Sequence, residues 1–161
     1  MDALPPALGS LAGLQRLGLD STRGTWQLLP GSPVLRELRW LGSSLATLVN
    51  SVPALEAAGA LEYVGIVDYY DTGNTFGDDA VPLHSPALAA LFDWLARHPP
   101  LRHLSIDSSD DPDSVAFRPD FVLGLVQLLR RRPSLCVSCP GFGDEGSTFF
   151  ELVDTDALFL P

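Results

Sequence analysis

The residues of this 161-residue chain whose types could do chemistry are three histidines, a C-x-x-C pair, a glycine-rich hexad and an acid-rich loop. His103 lies in Leu101-Arg102-His103-Leu104-Ser105-Ile106-Asp107. Alternation along an extended segment turns Leu104 and Ile106 to one side and His103, Ser105 and Asp107 to the other. A base at His103 and an acid at Asp107 would suit a small hydrolase or a metal-dependent enzyme, but no serine or cysteine nucleophile with an orienting acid is spaced beside them. A surface-contact role for His103 is the expectation. His84 precedes a helix start, and His98 closes a helix where a cation complements the helix dipole.

The other motifs fail on their surroundings. Cys136 and Cys139 stand three apart in an extended segment, so they face opposite sides, and no second pair or paired histidines complete four ligands. Redox thiols favour a helix N-terminus, so these two are expected to be buried or half-buried packing residues. Gly141-Phe142-Gly143-Asp144-Glu145-Gly146 spells G-x-G-x-x-G. A pyrophosphate there would meet two carboxylates, and too little chain follows for the helix, strand and ribose-binding acid of a dinucleotide site. Asp107 to Asp113 imitates a calcium loop, yet Pro112 replaces the turn glycine and Arg118 the closing glutamate. No metal, no cofactor and no enzymatic activity are expected.

Twenty acids stand against ten arginines, with no lysine, for a net charge of −10. That balance excludes a phosphate-backbone binder, so nucleic acid is not an expected partner. Asp2 and two early prolines do not fit a secretory signal, every apolar run is interrupted before it could span a membrane, and two cysteines make no disulfide framework. The expected setting is intracellular, cytoplasmic or nuclear, with no membrane association.

These residues are positioned by a repeated unit. Leu14, Leu17 and Leu19 share their spacing with Leu35, Leu38 and Trp40, with Leu61, Val64 and Ile66, and with Leu101, Leu104 and Ile106; Leu135, Ser138 and Pro140 form a degenerate fifth copy. The leading leucines are 21, 26, 40 and 34 residues apart. Strands are predicted near 16–19, 37–40, 63–66 and 103–106, with a weaker one at 136–138. Leu45, Leu48, Val49 and Val52 have helical spacing, with Pro53 ending that helix or starting another. So do Leu88, Leu91, Phe92 and Leu95 behind Ser85-Pro86, and Phe121, Leu125, Leu128 and Leu129 behind Pro119. At an offset of 34, Leu95, Arg97, Pro99 and Leu101 match Leu129, Arg131, Pro133 and Leu135. Helices crossing between consecutive strands make the strands parallel.

The segment Leu4-Pro5-Pro6-Ala7-Leu8-Gly9-Ser10-Leu11-Ala12-Gly13-Leu14-Gln15-Arg16-Leu17-Gly18-Leu19 resembles a leucine-rich repeat of the plant type; the other units share only the strand core. Thr22, Ser43, Tyr69 and Ser109 occupy the position that many such repeats give to asparagine. The resemblance therefore implies an irregular α/β solenoid of about five repeats, a parallel sheet backed by helices, most like ribonuclease-inhibitor-type or F-box-associated arrays. Residues 1–161 would form one such domain, or a piece of a longer array, with 144–161 as a cap or an interrupted next unit.

The resemblance further implies a non-catalytic module that binds a protein on its outward sheet face. Aligning the repeats places Arg16, Glu37, Tyr63 and His103 in one outward column, Gly18, Arg39, Gly65 and Ser105 in a second, and Asp20, Leu41, Val67 and Asp107 in a third. Asp68, Tyr69, Tyr70 and Asp71 stand beside Asp107, Asp110, Asp111 and Asp113 in equivalent loops, an acidic rim suited to a basic partner segment. Partner contacts are expected from Arg39, Tyr63, Tyr69, Tyr70, His103, Asp107, Asp110 and Asp111. The alternatives are the His103/Asp107 enzyme and a fragment of a larger repeat protein without independent function. Open apolar ends predict self-association.

Overall fold

The strand cores alternate as the spacing requires. Leu17 and Leu19, Leu41 and Ser43, Val64 and Ile66, and Leu104 turn inward and are buried, as are Ile106 and Val137. The computed structural model describes residues 2–3, 13–19, 26–67, 85–107 and 119–138. Within them the strands are β1 (Asp2–Ala3), β2 (Arg16–Leu19), β3 (Trp26–Gln27), β4 (Trp40–Ser43), β5 (Tyr63–Val67), β6 (His103–Asp107) and β7 (Cys136–Ser138). The helices are α1 (Leu45–Leu55), α2 (Pro86–Arg97) and α3 (Pro119–Arg131), and Pro33–Arg36 form a 3-10 turn. The protein is α/β. Its main sheet has five strands in the order β2-β4-β5-β6-β7, every neighbouring pair parallel, and β1 pairs with β3 separately.

Helix boundaries follow from side-chain chemistry. Ser44 caps α1 by accepting from the Thr47 N–H at 3.3 Å, and Ser85 caps α2 by accepting from Ala87 N–H at 3.3 Å, with Pro86 at the first helical position. Helix α1 runs two residues past Pro53. Leu88, Leu91, Phe92 and Leu95 on α2, with Phe121, Leu125 and Leu128 on α3, bury their faces in one core with the inward strand residues. The helices therefore lie on the inward side of the sheet.

Two register expectations are corrected. The second strand lies at 40–43, not 37–40, because Leu35 belongs to a tighter turn and Leu38, not Leu35, takes the strand-leading place that Leu61 takes in the next unit. Pro33 opens a 3-10 helix that buries Val34 and Leu35 and leads Leu38 into the core. An i, i+3 spacing suits a helical turn as well as it suits a strand entry. Consequently Trp40, not Glu37, pairs with Arg16 and Tyr63, while Gly42, not Arg39, pairs with Gly18 and Gly65. Leu41, expected to face outward, is fully buried. Ser43, at the position many such repeats give to asparagine, ends β4 with its hydroxyl buried and without a hydrogen-bond partner among the described residues. The fifth unit is one residue shorter than expected. Val137 pairs with Leu104 and takes the inward position, which puts Cys136 and Ser138 outward.

Three turns leading into strands are built alike. Leu61 N–H donates to Ala58 O, Leu101 N–H to His98 O and Leu135 N–H to Arg132 O, at 3.2, 3.3 and 3.0 Å. At two of the three, the side chain also reaches back to the preceding unit. His98 Nε2 lies 3.0 Å from Leu61 O, and Arg132 donates to Leu95 O, His98 O, Pro99 O and Leu101 O, the last at 2.6 Å. His98 corrects the expectation of a cationic helix end. It is buried, its ring stacks on Trp94 at 4.8 Å, and burial lowers its pKa with Arg132 acting in the same direction, so the neutral ring donates to Leu61 O.

Substituting Leu104→Ala, a side chain with no exposed surface, should cost about 2–5 kcal/mol in denaturant unfolding. Because the folded state holds His98 below its ordinary value of 6.5, the unfolded chain binds the proton more readily. Stability should therefore be highest above that pH, fall as pH drops through the window beneath it, and stop falling on this account below the folded pKa. His98→Gln, which keeps a donor for Leu61 O, should flatten the slope of the urea midpoint between about pH 7.5 and 5.5.

Candidate functional site

With the helices on the inward side, the outward face of the sheet carries Arg16, Trp40, Tyr63, His103 and Cys136 as partners on successive strands. Trp40 and Tyr63 stack with centroids 5.6 Å apart and planes 23° from parallel; Tyr63 and His103 stack at 4.9 Å and 15°. The Arg16 guanidinium covers the outer face of Trp40 at 5.3 Å, and at the other end His103 Nε2 lies 2.8 Å from Ser138 Oγ. The strand spacing of about 4.8 Å matches the stacking distance of aromatic rings, so one ring per strand makes a continuous column.

The next outward position makes this posture possible. Each ring leans along its own strand over the residue two further on, which is Gly42 under Trp40 and Gly65 under Tyr63. A Cβ on Gly42 would come within 2.6 Å of the Trp40 ring, and one on Gly65 within 3.4 Å of the Tyr63 ring. Small residues continue the row as Gly18, Ser105 and Ser138.

The residues expected to meet a partner are only partly brought together. Tyr63 and His103 are in the ladder. Arg39 is not: it precedes β4, is exposed, and pairs with Glu62 at 3.6 Å, while its carbonyl accepts from Glu62 N–H and Tyr63 N–H. Asp107 ends β6 opposite Val67, and Tyr69, Tyr70, Asp110 and Asp111 lie outside the described residues, as do His84, Cys139 and the hexad at 141–146. Cys136, expected to be buried or half-buried, is exposed and free. Trp40 and Ser138 were not anticipated as site residues. The shared pattern of Arg16-Leu17-Gly18, Trp40-Leu41-Gly42 and Tyr63-Val64-Gly65 carries the signal that would have found Trp40, since aligning the glycines rather than the leucines gives the observed register.

On the helix side, a groove of about 540 Å³ runs between α2 and α3, lined by Leu88, Phe92, Leu123 and Leu128 with Asp93 and Arg131 at its border. Asp93 accepts from Arg97 at 2.9 Å and Arg131 at 3.1 Å, and Arg97 also reaches Glu56 at 3.3 Å. The hydrogen bond from Arg131, then that from Arg97, holds the Asp93 carboxyl below its ordinary pKa. These side chains are about half exposed, so water screens them and they contribute little to stability. Among the described residues no three His, Cys, Asp or Glu side chains are grouped to hold a metal ion, and no helix is long and apolar enough to cross a membrane. No protein family, curated protein or solved structure matches the chain.

Gly42→Ala isolates the ladder from the core. The atom displaced is the far edge of the Trp40 ring on the outward face, not backbone or an inward core side chain, so unfolding stability should change by no more than about 1 kcal/mol. The near-ultraviolet circular dichroism from the Trp40–Tyr63 stack should nevertheless change; an unaltered spectrum would mean that the ring does not lie over Gly42.

Proposed function

We propose that the chain is a non-catalytic protein-binding module, an irregular solenoid of the leucine-rich-repeat kind, whose outward sheet face receives the partner. The observation that carries this reading is the Arg16–Trp40–Tyr63–His103 column, large side chains held in a fixed row on the face opposite the helices. Rigid aromatic rings with polar tips are the side chains that anchor protein interfaces. The acid surplus supports a partner that also carries a basic segment. Thirteen of the twenty acids fall in 20–25, 68–84, 108–118 and 139–161, against two arginines, and these stretches follow β2, β5, β6 and β7 in sequence.

A hydrolase reading has one observation in its favour, the 2.8 Å contact between His103 Nε2 and Ser138 Oγ, a distance suited to a base and its nucleophile. Asp107 cannot orient that base, because four residues along one strand separate them by about 13 Å. Imidazole and hydroxyl on the paired strands β6 and β7 also serve as a diagonal cross-strand contact closing the ladder.

Affinity capture with the purified chain tests the binding reading. A partner retained by wild type should be lost with Trp40→Ala combined with Tyr63→Ala and kept with Leu123→Ala, an exposed position on the helix side. Loss in the helix-side variant with retention in the ladder variant would place the interface elsewhere. On the same preparation, hydrolysis of an activated ester should be no faster than with Ser138→Ala; a serine-dependent excess would favour the enzyme.

A further inference from the structure

The ladder has a chemical polarity that the overall charge conceals. Arg16, Trp40, Tyr63 and His103 are each the first residue of their strand, whereas the acid-rich stretches follow the last residues of β5, β6 and β7, and Glu62 just before Tyr63 is paired with Arg39. Arg16 is exposed and enters no ion pair among the described residues, in a chain with twice as many acids as arginines. Its guanidinium lies over the Trp40 ring. A guanidinium placed over an aromatic ring still has its N–H fork to offer, and that fork matches a carboxylate through two parallel hydrogen bonds.

The rings beside it reinforce that preference. Their faces are occupied by one another, so what they offer a partner is edges, the positive end of an aromatic quadrupole. Trp40 adds an indole N–H donor and Tyr63 a phenolic O–H. A row of donors ending in a guanidinium fits acceptors and negative charge.

We propose that the strand-start end of the sheet face, Arg16 with Trp40 and Tyr63, binds an extended acidic segment of a protein partner. One carboxylate takes the Arg16 fork, and carbonyl or carboxylate oxygens of the following residues take the ring-edge donors. From β2 to β6 the column spans about 14 Å, the length of four or five extended residues. The inference rests on the sheet face being a protein-binding surface and narrows it: the basic part of a partner belongs beyond the strand ends, and the part on the ladder is acidic.

Selection from a phage-displayed library of random hexapeptides, run against the full chain and against Arg16→Gln, tests it. Peptides enriched on the wild type should be rich in Asp and Glu, and fluorescence anisotropy of a selected peptide should show binding at least tenfold weaker to Arg16→Gln and weaker in added salt. Arg16→Lys, which keeps the charge without the fork, should recover only part of the loss. Basic or neutral selected sequences, or acidic ones indifferent to Arg16, would overturn the proposal while leaving the binding-module reading standing. No enrichment on either chain would overturn both.

Discussion

The pairing register of the five parallel strands is the constraint on which the other features depend. Side chains alternate with period two, so slipping any strand by one residue would exchange its buried set for its outward set. Leu17, Leu41, Val64, Leu104 and Val137 share one inward row and are all buried. The same registration brings Arg16, Trp40, Tyr63 and His103 into line one position earlier. The outward column is therefore held by the core: moving β4 by one residue would bury Trp40 among leucines and turn Leu41 to solvent.

The register is fixed at the turns that feed the strands as well as by burial. Ala58, His98 and Arg132 each stand three residues before a strand-leading leucine and accept its N–H through their own carbonyls. Their side chains grade from a fully buried methyl through an imidazole that meets one carbonyl to a guanidinium that donates to four carbonyls of the preceding helix end and turn. Carbonyls left over where a helix ends need partners. Here the next unit supplies them, so the start of β7 is tied to the end of α2. Arg132 works in a part-buried setting where its charge-assisted bonds are worth more than surface ion pairs such as Arg97–Asp93. Arg131 and Arg132 at the end of α3 thus do different work: one pairs with Asp93 at the surface and the other joins two units.

Much of this architecture was legible in the sequence because it rests on short-range patterns. Leu88, Leu91, Phe92 and Leu95 behind Ser85-Pro86 could only be a helix with a buried stripe, and Leu104 with Ile106 only an inward strand face. The errors arose where one spacing serves two structures. Leu35-x-x-Leu38 fits a strand entry or a 3-10 turn, and Pro33 decided for the turn; this moved the alignment by three residues and hid Trp40 from the outward column. The His103–Ser138 contact lay beyond the reach of spacing because it depends on the fifth unit being one residue short. Burial of His98 was equally invisible, since the same residue at an open helix end would be the cation that the dipole favours.

The helix-side groove and the outward ladder differ in what they could receive. The groove between α2 and α3 is mainly aliphatic and aromatic, and Asp93 and Arg131 at its border already neutralise each other. Asp120 also lines the groove, so its charged groups are of both signs. The ladder is the reverse: its rings have spent their faces on one another, so it offers little apolar depth but an ordered line of donors ending in a guanidinium. A small apolar molecule gains from enclosure, which a sheet face of this kind does not provide. An extended polypeptide gains from repeated polar contacts at the spacing of its own backbone, and a column of one side chain per strand, stepping about 4.8 Å at a time, offers contacts at intervals of roughly one and a half residues. Such a mismatch means that a chain lying across the strands cannot engage every rung equally. Selectivity would then concentrate at the rung with the strongest directional donor, which is Arg16.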